Sequence, residues 1–290
     1  MCRIGAPLAN FYVGPYVITD KKTPIMSPYP DIPHRAQLNW YLFEQTAPVF
    51  GSFWEYIRQH LAKYGIEAAA DLWDSAHTAL SLSRQNSLLL GQMCSLTFSA
   101  CQPEMPFYIG SYILDDTEVR PGYYRSVIIV SDKQKMRRLG DDVPQTLCAA
   151  ISEPDSFSGR FALYQALQNS FTPCNFAKTL YTGTHLDTLL AVASGKADIG
   201  AIDCLTWHIL QNLLPEQVAQ IHIAGYSPQM PGPPLVTMLP DGSDRRAHLE
   251  AAIQAAFADT DISAQMKTVG ITGYISGDRD RYNDFQACVI

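Results

Sequence analysis

An α/β fold is predicted by three observations. Strand-like and helix-like segments alternate through most of the chain, the composition supports a large core, and no internal repeat or low-complexity tract breaks the pattern. The chain has 290 residues, 47% hydrophobic and 17% charged, with a mean hydropathy of -0.05. That length suits one large domain or two lobes. The composition excludes disordered, collagenous and coiled-coil chains.

The elements follow in order. Residues 1–36 hold Pro24, Pro28, Pro30 and Pro33, which forbid a helix and predict an extended N-terminal arm. Leu38–Phe43 reads as a short strand. From Thr46 to Tyr64 the apolar residues Val49, Phe50, Phe53, Trp54, Ile57 and Leu61 recur at three and four, an amphipathic helix that Gly65 ends. Tyr123–Val130 is a strong strand, and Thr146–Ile151 reads as a short buried parallel one. Helices are predicted over Ser158–Asn169, His185–Ser194 and Cys204–Leu213. Strands at Thr179–Thr182, Ile199–Ile202 and Ile221–Tyr226 alternate with them. Two helices close the chain, Asp244–Phe257 and Ile262–Thr268. Such alternation implies mostly parallel sheets.

Composition also limits the partners. With 21 basic against 28 acidic residues the net charge is -7. A chain of that acidic balance is a poor candidate for binding the phosphate backbone, so no nucleic acid is expected. No apolar run approaches the roughly 18 residues of a spanning helix, so no stable membrane insertion is expected. The N-terminal run is broken by Pro7, Asn10, Gly14 and Pro15. As written it lacks a secretory pattern. The expectation is therefore cytoplasmic for the sequence as written, and periplasmic if a signal segment precedes it. Seven cysteines at irregular spacing, without CxxC, read as buried thiols rather than disulfides or a zinc site.

The stretch with most chemical content is Glu153-Pro-Asp-Ser-Phe-Ser-Gly-Arg160, between a buried strand and a helix. Helix N-termini present unpaired N–H donors and partial positive charge. Ser156 and Ser158 add hydroxyls, and Gly159 allows close approach, which makes an oxyanion cradle. The simpler alternative is an ordinary N-cap. Tyr181-Thr-Gly-Thr-His185 repeats the pattern, with Thr184 as a cap and His185 in the first helical turn. Ligands of open α/β sheets bind beyond the carboxyl ends of strands, where both junctions fall. Asp203 ends a strand at the same edge; it reads equally as an acceptor for a ligand amine or hydroxyl and as the cap of the next helix. GxSxG, Walker A, GxGxxG and HExxH are all absent. Neither catalytic residues, a cofactor nor a metal is therefore expected. A triad of Ser156, His185 and Asp203 has no support in the spacing.

The stretches YTGTHLDTLLAVASGKADIGAID, SEPDSFSG, PGYYRSVIIV and PGPPLVTM together resemble the phosphonate/phosphate-type substrate-binding proteins of ABC transporters. The resemblance covers about residues 37–275. It implies the type II periplasmic-binding-protein fold, two α/β lobes closing on a ligand about a hinge. Lobe one would be 37–130 plus 229–290 and lobe two 131–228, with 1–36 an extension lacking a counterpart. It implies a phosphonate, phosphate or phosphite held by Ser156, Ser158 and His185, with Gly159 and Thr184 in support. Tyr41 and Gln92 would reach in from the opposite lobe. It further implies delivery to an ABC permease. Phe157 departs from the small polar residue usual in the serine motif. Gly232 and Pro233 stand where aminophosphonate binders place an acidic residue, so Asp203 is the acidic candidate that remains. A cytosolic relative of the same fold, an anion sensor or a cofactor-biosynthesis enzyme, is the alternative.

Overall fold

The structure, a computed structural model, describes residues 33–73, 76–101, 106–132, 138–139, 146–168, 176–277 and 279–288. The chain opens with β1 (Arg35–Gln37), α1 (Ala47–Ala62), α2 (Ala79–Arg84), β2 (Leu88–Gln92), α3 (Ser95–Ala100) and β3 (Phe107–Leu114). It then passes through β4 (Tyr123–Tyr124) into β5 (Ser126–Ser131) and β6 (Cys148–Ile151). A π turn (Phe157–Phe161) runs on into α4 (Ala162–Gln168). Next come β7 (Lys178–Tyr181), α5 (His185–Ala193), β8 (Ile199–Asp203), α6 (Cys204–Leu213), α7 (Pro215–Val218) and β9 (Ile221–Tyr226). The chain returns through β10 (Met230–Pro231) to β11 (Leu235–Thr237), α8 (Asp244–Ala258), α9 (Thr260–Thr268) and β12 (Ile271–Ile275).

Two five-stranded sheets carry the lobes, ordered β1-β2-β11-β3-β12 and β7-β6-β8-β5-β9. The chain crosses between them twice, and the crossings lie side by side. There β4 and β10 pair antiparallel, Tyr123 opposite Pro231 and Tyr124 opposite Met230. Ser227 N–H donates to the Ser126 carbonyl (2.8 Å), and Ser126 N–H donates to Ser227 Oγ (2.9 Å). Gln229 bridges the Arg120 amide and the Glu118 carbonyl.

Three differences from the sequence reading have physical causes. Strand β5 pairs with β8 and β9 in the second sheet, whereas a lobe boundary after Val130 would assign it to the first. An apolar run declares a strand without naming its partners. For the same reason parallel pairing among the described residues is confined to β1–β2, β6–β7 and β6–β8, and the other strand pairs are antiparallel. The sheets are mixed rather than mostly parallel. The run Leu38–Phe43 is a buried loop and not a strand; the strand precedes it at β1, so Arg35 and Ala36 belong to the fold and not to an arm. Residues 1–32 lie outside the described residues.

The helix expected after Thr46 is α1. Its Phe50, Phe53, Trp54, Ile57 and Leu61 are buried, facing α8 and α9. Gly65 follows with φ +69, a left-handed conformation that glycine adopts without strain. At the other end, Thr46 Oγ1 donates to the Tyr41 carbonyl and accepts from Phe43 N–H (2.9 Å). These bonds fix the loop that carries Tyr41.

Candidate functional site

Two strand-to-helix junctions of the second lobe are tied together at their bases. The Ile151 carbonyl accepts from Thr182 N–H (2.9 Å), and the Ser152 carbonyl from Gly183 N–H (2.7 Å). Gly183 has φ +86, a left-handed turn that glycine adopts without strain. In the first junction Ser156 caps the π turn, its Oγ accepting from Gly159 N–H (2.9 Å). Single π turns inside helices recur at functional sites because they redirect one residue's backbone. Here the turn presents Ser158, whose Oγ lies 2.8 Å from His185 Nε2 at the start of α5.

His185 Nε2 also faces Asp203 Oδ2 at 3.5 Å, at the end of β8. Asp203 is 5% exposed and both its oxygens are engaged. Oδ1 accepts from Leu205 N–H (3.1 Å) and Thr206 N–H (3.0 Å), and Oδ2 accepts from the Thr206 hydroxyl. The cap expected of Asp203 is thus present at the start of α6, and the same carboxylate also faces the histidine. Ser158 and Asp203 approach the same ring nitrogen. A serine-to-histidine-to-aspartate proton relay needs the two opposite ring nitrogens, so this arrangement is not one.

Across the cleft, Tyr41 and Asp203 line a cavity of about 10 Å³ with Tyr112, Leu114, Tyr124 and Leu205, room for about one water molecule. Tyr123, Gly232 and Pro233 complete the wall. Gln92 is buried and its Oε1 accepts from Trp40 N–H (3.3 Å), so it braces the loop before Tyr41. Thr184 Oγ1 closes on Asp187, accepting from its N–H (2.9 Å) and donating to its Oδ2 (2.7 Å). Its side chain acts as the helix cap. Phe157 is 1% exposed and shares an apolar cluster with Met93, Leu96 and Phe98 of the first lobe and Tyr124 of the crossing. Tyr112 and Thr206 carried no motif in the sequence. Thr206 is recoverable in retrospect as the third residue after an aspartate cap.

Electrostatics follow from burial. Burial holds the His185 imidazole below its ordinary value of 6.5, while Asp203 and the Ala201 backbone pull the other way. Burial, then Asp203, lifts the Tyr41 hydroxyl well above 10. Burial, then Asp203, also pushes the Cys204 thiol up to about 12. Tyr41 therefore stays neutral, and Cys204 is inert. Glu153, beside the cradle, is raised from 4.5 to about 7 by burial and then by Asp155.

These shifts set two opposed pH dependences. The unfolded chain protonates His185 below pH 6.5 and the folded chain resists it. The histidine's contribution is therefore complete above 6.5 and is lost as pH falls toward its folded value. Glu153 runs the other way: its contribution is full below 4.5 and is lost as pH rises through about 7. In denaturant titrations across this range, His185→Gln is expected to flatten the acid-side loss and Glu153→Gln the loss toward neutrality. Slopes unchanged in both variants would contradict this assignment.

The fold and its cleft define a two-lobed solute-binding protein of the type II periplasmic-binding class. Residues 50–282 match the family model of the phosphonate-type periplasmic substrate-binding proteins of ABC transporters, and the chain belongs to that family. A 120-residue segment is 28% identical to the phosphonates-binding periplasmic protein of Escherichia coli K12. It spans 40% of this chain and 35% of that one. A binding-protein component of a phosphonate ABC transporter from Pseudomonas aeruginosa superposes with TM-score 0.67 and 18% identity, covering 89% of this chain and 86% of its own. PhnD1 of Prochlorococcus marinus, solved with methylphosphonate, gives TM-score 0.69 and 15% identity over 89% and 97% of the two chains. At these identities the structural likeness concerns the fold.

Proposed function

We propose that this protein binds a small tetrahedral oxyanion of the phosphonate, phosphate or phosphite class between its lobes and delivers it to an ABC-type permease, acting in the periplasm and without catalysis. The observation that carries the proposal is the meeting of Ser158 and His185, from two joined strand-to-helix junctions, with Asp203 at the end of β8, opposite Tyr41. Hydroxyls, an imidazole and backbone N–H groups can hold an oxyanion by hydrogen bonds alone, with no Lys or Arg required. Closure about the paired crossings would enclose it in a drier site, where each of those bonds is stronger.

The organic substituent is small and carries no amine. The cavity beside Asp203 admits about one water-sized group. The Asp203 carboxylate already accepts three hydrogen bonds of the roughly four it can take, with His185 facing the remaining position. A buried amine without a partner would cost about 2 kcal/mol, or about 30-fold in affinity. Titration calorimetry with phosphate, phosphite, methylphosphonate and 2-aminoethylphosphonate tests this. One of the first three is expected to bind at least about 30-fold tighter than the last. Preferential binding of the aminophosphonate would overturn the size and charge argument. Binding of none of the four would overturn the functional reading.

A further inference from the structure

We infer that Ser152 is a direct ligand of the oxyanion, a third serine of the cradle. The inference rests on the oxyanion reading above. Ser152 follows β6 immediately and is 6% exposed. Its Oγ is buried with no hydrogen-bond partner among the described residues. Its carbonyl is committed to Gly183 N–H (2.7 Å), so the residue sits at the joint between the two junctions. Gly159 lies directly over it: a Cβ on Gly159 would fall 2.4 Å from Ser152 Oγ and 2.9 Å from Ser156 Oγ. The missing side chain of Gly159 thus leaves a point flanked by two hydroxyls. Ser156 Oγ accepts there from Gly159 N–H, which leaves its own proton available to donate.

A buried hydroxyl without a partner destabilises the unliganded protein, and native structures retain few of them. An oxyanion in the cradle supplies the missing acceptor. The same residue would then weaken the empty state and strengthen the bound one, a pattern that a packing serine does not produce. Gly159 acquires a second role on this account, since any side chain there would cover the hydroxyl beneath it.

The test pairs calorimetry on the best-binding anion of the panel with thermal melts of the unliganded protein, using wild type, Ser152→Ala and Ser152→Cys. Ser152→Ala is expected to raise the dissociation constant about tenfold, the effect of one hydrogen bond to a charged group, while the unliganded melting temperature stays level or rises. Ser152→Cys, close in shape but a weak donor, is expected to fall between. Equal affinity in wild type and Ser152→Ala would overturn the inference and leave the oxyanion site standing. So would a fall in both affinity and melting temperature that Ser152→Cys fully restores, which would make the residue a packing element. If the wild type binds no member of the panel, the oxyanion reading falls and the inference with it.

Discussion

Replacing His185 with alanine is expected to weaken oxyanion binding by about 2–3 kcal/mol, or about 30- to 150-fold. The imidazole is the group on which the site converges: Ser158 Oγ lies 2.8 Å and Asp203 Oδ2 3.5 Å from its Nε2. On the proposed reading, removing the ring deletes one donor to the anion, and it also leaves Ser158 without its partner. Burial keeps the empty site's histidine neutral, and an anion nearby favours its protonation. Binding should therefore take up protons below neutrality, visible as a buffer-dependent enthalpy in the wild type and absent from the variant. His185→Gln keeps a donor and should recover part of the loss. An unchanged dissociation constant in His185→Ala would remove the histidine from the site.

Asp203→Ala is expected to have the largest effect on stability, about 3 kcal/mol. One carboxylate caps α6 at two amides, accepts the Thr206 hydroxyl and faces His185. It also sits opposite Ser126 in the β5–β8 ladder, beside the crossing between the lobes, so its loss reaches both helix and crossing. Asp203→Asn retains an oxygen for the two amides and should lose about 1 kcal/mol, the scale of the remaining hydrogen bond. Chemical denaturation measures both. A loss below about 1 kcal/mol in the alanine variant would mean that water replaces the cap.

Much of this architecture was legible in residue order, and the exceptions share a cause. Helices α1, α5, α6 and α8 begin and end within one or two residues of their predicted limits, because apolar spacing and caps are local signals. Ser158, His185 and Asp203 were recognisable for the same reason: each stands at the first turn of a helix or the last residue of a strand. Pairing is a property of distant residues, so the antiparallel placement of β5 could not be read from Ser126–Ser131 alone. The loop at Leu38–Phe43 misled because burial in a core edge and burial in a strand use the same side chains. The π turn was invisible, since its extra residue leaves no mark in the spacing of Phe157 and Phe161. Ser152 and Tyr112 needed coordinates, because what marks them is a buried oxygen without a partner.

The burial of Phe157 bears on timing. It shares an apolar cluster with Met93, Leu96 and Phe98 of the first lobe as well as Phe161 of its own, although its backbone belongs to the proposed anion cradle of the second. Opening the cleft would bring that ring into water, at about 1.5–3 kcal/mol for a large apolar side chain. Such a term acts on the opening step whether or not an anion is present. It would slow ligand escape by about one to two orders of magnitude, and it would slow the opening that entry requires in the same proportion. Residence time would lengthen without a matching gain in affinity, so the dwell of the loaded form would owe as much to an aromatic ring as to the anion's own hydrogen bonds.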